Sequence, residues 1–216
     1  MTASRSVSAK VLAIVVPVCV AGAAAIVVAT WLYVANGPSL GDVAAFVGLF
    51  VGYTLAERFP VPVEGIDSGG VTLGYVFAVS AILLLGWEAG VMIAATGPTL
   101  ANLGRRPPIR IAYNGAMFGL SALAGGLGIQ VVHGDSVGAL LLRLTIASLL
   151  YNWVVNLTLI SAVVAADSGR PFFRIAWENF KQTTAPLAFM VSAALTLVIL
   201  WQRAPALSLA LVGPLL

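Results

Sequence analysis

The chain has 216 residues, of which 60% are hydrophobic and 9% charged, with a mean hydropathy of +1.02; soluble domains carry about 25% charged residues, so the composition selects lipid as the solvent. The net charge of +3 comes from 11 cations and 8 acids, and the cations stand at the ends of apolar runs, where they act as orientation signals and argue against a nucleic-acid partner. Cys19 is the single cysteine, which excludes an internal disulfide and a multi-cysteine metal site.

Residues 1–10 read as a short cytoplasmic segment with Arg5 and Lys10, and 11–216 as one transmembrane helical domain. The run 11–35 is long enough to cross a hydrocarbon core of about 30 Å, with Pro17 expected to kink it. After the turn cluster Asn36-Gly37-Pro38-Ser39, a second span covers 40–56 with Ala44, Gly48 and Gly52 at four-residue spacing, which lets two backbones approach. Residues 57–70 form a polar loop with Arg58, Glu64 and Asp67. Spans three (71–86) and four (89–104) follow, joined by a tight turn at Trp87-Glu88, and Thr96-Gly97-Pro98-Thr99 is expected to interrupt the fourth.

Between Gly104 and Ile109, two prolines end one helix and start the next, and Arg105, Arg106 and Arg110 set the topology by the positive-inside tendency. Span five covers 109–132, and span six lies within 137–166. Residues 167–184 carry Arg170, Arg174, Glu178 and Lys181 beside aromatic residues, the pattern of an interfacial amphipathic helix. Span seven is expected at 185–202, and 206–216 reads as the first half of an eighth span, with a longer protein expected to follow. The fold class is thus an all-α polytopic bundle of about seven to eight transmembrane helices. With the amino terminus inside, nine cations are cytoplasmic, Arg203 lies outside, and Arg143 lies within span six.

The run 71–86 with its Leu83-Leu84-Leu85-Gly86 end, Arg105-Arg106-Pro107-Pro108, Tyr113-Asn114-Gly115-Ala116, Tyr151-Asn152-x-x-x-Asn156 and Trp177-Glu178-Asn179-Phe180 together carry a likeness. Over about residues 40 to 216 the chain resembles the membrane-embedded amino-terminal region of bacterial HD-GYP and GGDEF signalling proteins. The resemblance implies a sensor or anchor in the bacterial inner membrane, a cytoplasmic cyclic-dinucleotide output domain, and a homodimer. Tyr113 stands where phenylalanine is expected and Asn102 where an acid is common, and no catalytic domain is present in these residues. His133 is the sole histidine, so a di-metal phosphohydrolase site cannot be built, and no metal or cofactor is expected.

On an ideal helix Thr145, Ser148, Asn152 and Asn156 form one polar stripe of span six. Asn114, Asn102 and Asn156 fall in the same half of the membrane, and with Thr99, Tyr113 and Asn152 they make the candidate site for a small-molecule or lipid ligand; the alternative is interhelical hydrogen bonding. Arg143 is the one cation within an apolar run, a functional candidate by depth, and snorkelling or pairing with Asp135, Glu88 or Asp42 explains it equally well. The leading expectation is a non-enzymatic membrane sensor whose helix packing shifts with its ligand. The alternative is a substrate-binding or transport protein resembling the binding subunits of vitamin importers, with Ala21, Ala25 and Ala29 in a docking stripe. A membrane-bound enzyme is disfavoured because acids and histidines at depth are missing.

Overall fold

The computed structural model describes residues 8–60 and 72–204. The expected eighth span at 206–216, Arg5, and the loop residues Glu64 and Asp67 lie outside them. Among the described residues every regular element is helical: α1 (Ala9–Ala35), α2 (Leu40–Arg58), α3 (Gly74–Leu85), α4 (Trp87–Asn102), α5 (Pro108–Gly128), α6 (Val137–Ser168) and α7 (Phe172–Arg203). Four of these, α1, α2, α6 and α7, are long and apolar enough to cross a membrane. α3 and α4 have 12 and 16 residues, about 18 and 24 Å at 1.5 Å per residue, short of a core of about 30 Å. Those criteria do not yield the expected seven to eight crossings.

Local chemistry sets the helix ends. The Ser8 hydroxyl accepts from the Val11 N–H, and Ser39 and Asp42 form a reciprocal capping box on α2. Ser136 caps α6 through the Ala139 N–H, and Gly169, at φ 69°, ends it in the left-handed region. Pro108 opens α5, where a missing N–H costs nothing. Gly86 alone, at φ 95°, turns the chain between α3 and α4. Trp87 and Glu88 are therefore the first residues of α4 and not the expected turn, because only glycine takes that backbone conformation without strain.

Other boundaries shift as well. Glu57 and Arg58 close α2 where a loop was expected. Pro98 and Pro186 lie inside unbroken helices. Around Pro98 the side chains of Thr96, Thr99 and Asn102 bond back to the carbonyls of Met92, Ala95 and Pro98, each four residues earlier, so these polar groups are satisfied within the helix. The amphipathic stretch and span seven are one helix, α7, of 32 residues, about 48 Å long and so longer than the hydrocarbon core. At its amino end Glu178 meets Arg170, which precedes the helix, at 2.6 Å and Arg174 at 3.2 Å.

α3 is the centre of the bundle. Nine consecutive residues, Gly74 to Ile82, are buried on every side, in contact with α2, α4, α5, α6 and α7, as expected for a helix apolar all round. The chain alternates direction, so the carboxyl ends of α2, α4 and α6 gather with the amino ends of α1, α3, α5 and α7. Arg58 donates to the Ala101 carbonyl, Arg105 to the Arg58 carbonyl, Tyr113 to the Leu159 carbonyl, and Asn179 to Ser161, while Val11 and Val15 pack on Tyr113 and Met117. Lys10, Arg58, Arg105, Arg106, Arg110, Arg170, Arg174 and Lys181 all belong to this end, and Arg143 and Arg203 to the other.

Candidate functional site

A cavity of about 330 Å³ opens at the cation-rich end between α2, α3, α6 and α7, within the roughly 300–1,000 Å³ of small-molecule sites. α2 contributes Tyr53 and Glu57, one helical turn apart, so both side chains fall on one face. Tyr75 enters from the first turn of α3 and Thr72 from just before it. Tyr151, Asn152 and Asn156 come from α6, and Asn179, Gln182 and Thr183 from the first turns of α7. Phe118, Ile160, Pro186 and Met190 supply apolar wall.

The α6 residues owe their placement to a wide-turn segment. Over Leu149–Asn156 the backbone runs as a π-helix, an arrangement rare in proteins and frequent at functional sites. It breaks the expected polar stripe. Thr145 is exposed and bonds to the Leu141 carbonyl, and Ser148 bonds to the Leu144 carbonyl, so both are satisfied within the helix. Asn152 and Asn156 remain together, with the Asn156 Nδ2 donating to the Asn152 Oδ1 at 3.2 Å. Tyr151 turns into the bundle at 2% exposure and meets Tyr75 edge-on, ring centroids 5.4 Å apart.

Tyr75 Oη, Tyr151 Oη and Asn156 Oδ1 are enclosed in the packing behind this space, the Tyr75 hydroxyl toward Ser148 and the Tyr151 hydroxyl toward Tyr53. Glu57 is the one acid in the lining. Its Oε1 accepts from the Thr72 hydroxyl at 2.6 Å, and it makes no ion pair among the described residues. On the outer side an aromatic ladder braces α6 against α7: Trp153 packs on Phe180, Phe180 stacks on Trp177, and the Lys181 ammonium lies 5.0 Å from the Trp177 ring centre.

Of the six residues expected from sequence to form a ligand site, Asn152 and Asn156 line the cavity. The other four lie outside the lining. Thr99 bonds to the Ala95 carbonyl and faces Gly115. Asn102 bonds to the Pro98 carbonyl and accepts from Arg106 at 3.1 Å, and Tyr113 donates to the Leu159 carbonyl at 2.7 Å. Asn114 is half-buried in α5. Arg105 and Arg110 are exposed beside Arg106 at the α4–α5 turn. Arg143 uses its guanidinium to hold the α5–α6 turn, donating to the Val132 and Gly134 carbonyls at 3.0 Å, and it pairs with none of the acids proposed for it.

Tyr53, Glu57 and Tyr75 were not singled out from sequence, and Tyr151 entered only as part of the Tyr151-Asn152-x-x-x-Asn156 likeness. The tyrosines sit in runs whose apolar pattern gives no sign that their polar ends meet, and Glu57 reads as the start of a polar loop. Among the described residues no group of three His, Cys, Asp or Glu is able to hold a metal. Comparison of the chain with family models, curated proteins and solved structures gives no match.

Proposed function

We propose that the chain is a non-enzymatic membrane input module. In this reading a small ligand enters the α2–α3–α6–α7 cavity and shifts the helix packing, and the shift passes to a cytoplasmic output. The observation that carries the reading is the cavity, large enough for a ligand and lined by polar atoms of Glu57, Asn152, Asn156, Asn179, Gln182 and Thr183. A ligand that satisfies those atoms binds one arrangement of the helices better than another, which is all that a population shift requires. The gathering of eight cations at one end supports an inner-membrane protein with that end and its amino terminus in the cytoplasm. The resemblance to HD-GYP- and GGDEF-associated regions supports a cyclic-dinucleotide output and a homodimer.

Native mass spectrometry of the protein released gently from membranes tests the reading. The wild type is expected to carry a small adduct, and Thr183→Trp, which fills the cavity from α7, to lose it. Spin labels at the exposed positions Val164 on α6 and Phe173 on α7 are expected to report a changed distance in the filled variant. An adduct-free wild type whose label distance ignores the filling would contradict the proposal. Movement of the adduct species across sealed vesicles would favour a transport protein instead.

A further inference from the structure

We propose that the first turns of α7 dock on anionic phospholipid headgroups in the membrane leaflet at the cation-rich end, and that this contact regulates the cavity. The regulation rests on the preceding reading that the cavity binds a ligand. At about 100° per residue, Asn179, Gln182 and Thr183 fall on one side of α7, together with the buried Ile175, and line the cavity. Phe173, Arg174, Trp177 and Lys181 fall on the opposite side. All four are exposed, Phe173 at 84% and Trp177 at 57%. α7 meets its neighbours α3 and α6 through its buried side, so this outer face has no cover among the described residues.

Depth and charge select the occupant. Residues 185–202 span about 27 Å, close to a hydrocarbon core of about 30 Å, and the turns before Ala185 continue the same helix to headgroup depth and beyond. Aromatic rings at that depth anchor in the interface, and Lys and Arg beside them attract anionic lipid. The Lys181 ammonium lies over the Trp177 ring, which puts cation and anchor in one patch. Glu178, at the edge of the face, is already held by Arg170 and Arg174. At this end of the bundle eight cations stand against three acids, Glu57, Asp167 and Glu178, among the described residues. Asn179 and Thr183 share their helical turns with Trp177 and Lys181, so a shift of α7 toward the headgroups carries the cavity wall with it. Two sites on opposite faces of one helix are coupled in both directions.

The test uses the full chain, carrying Cys19→Ser and Asn156→Cys, in nanodiscs of phosphatidylcholine alone or mixed with phosphatidylglycerol. Methyl methanethiosulfonate, which is uncharged and does not concentrate at an anionic surface, reports access to the cavity. Its labelling rate is expected to differ at least about fivefold between the two compositions, a comparison that needs no change in α7. Arg174→Gln with Lys181→Gln is expected to abolish the difference. Lys181→Arg, which keeps the charge, and Lys10→Gln, which removes a cation of the same end from α1, are expected to retain it. Native mass spectrometry from the mixed discs is expected to show phosphatidylglycerol retained in preference to phosphatidylcholine, and about tenfold less of it on the double glutamine variant. A labelling rate that ignores lipid charge, or a dependence that survives in the double variant, would overturn this inference and leave the preceding reading standing. A cysteine that stays unreactive in both compositions would overturn both.

Discussion

The α3–α4–α5 core and the α6–α7 end of the cavity are built from the same kinds of helix and differ in what fills the space between them. In the core, glycines bring backbones into direct contact. A Cβ on Gly126 would lie 2.9 Å from the Trp87 Cα, one on Gly90 would strike Ile82, and one on Gly52 would strike the Phe77 ring. Phe77, Ile82, Val91 and Ile93 are fully enclosed there. At the other end, a π-segment and the polar first turns of α7 hold the helices apart around a polar hollow. Helices in lipid lack a hydrophobic drive toward each other, so their packing depends on close van der Waals fit. A site can form where that fit is interrupted by side chains that want polar partners.

Mutations can sharpen or break this contrast. Phe77→Ala empties a fully enclosed position in the sealed core and is expected to cost about 3–5 kcal/mol, read as a large drop in melting temperature in detergent. Gly126→Ala forces a methyl against the Trp87 backbone and is expected to cost about 1–3 kcal/mol, measured the same way. Tyr151→Phe keeps the ring and removes a hydroxyl that has no partner, so it should lie within about 0.5 kcal/mol of the wild type or slightly above it. A loss as large as that of Gly126→Ala would show that the Tyr151 hydroxyl is satisfied, with Tyr53 as the nearby partner. Arg174→Ala breaks an exposed contact to Glu178 that Arg170 also makes, and no shift in melting temperature is expected, because exposed ion pairs contribute little.

The membrane class, α1, α2 and the arginine-proline turn before α5 were legible in the sequence, since long apolar runs between turn residues have no soluble alternative. The α3–α4 junction was not, because Trp87 and Glu88 look like a turn while only the backbone shows that Gly86 does the turning. The continuity of α7 was hidden by Pro186 and by a change from charged to apolar residues, both of which mimic a boundary. The site was half legible. Asn152 and Asn156 stood out as polar residues in an apolar run, and the stripe drawn through Thr145 and Ser148 assumed a regular helical period that the π-segment does not keep. Glu57 was assigned to a loop by its charge, and tyrosines within apolar runs read as packing until the fold brought their hydroxyls together.

Thiol accessibility compares the two regions most directly. In a Cys19→Ser background, Asn156→Cys and Ser121→Cys place single cysteines in the cavity and in the sealed core, where Ser121 is fully buried. With a small cationic methanethiosulfonate on the folded protein, the cavity position is expected to react readily and the core position to stay unmodified. Equal protection of both cysteines would contradict an open, polar cavity between α6 and α7.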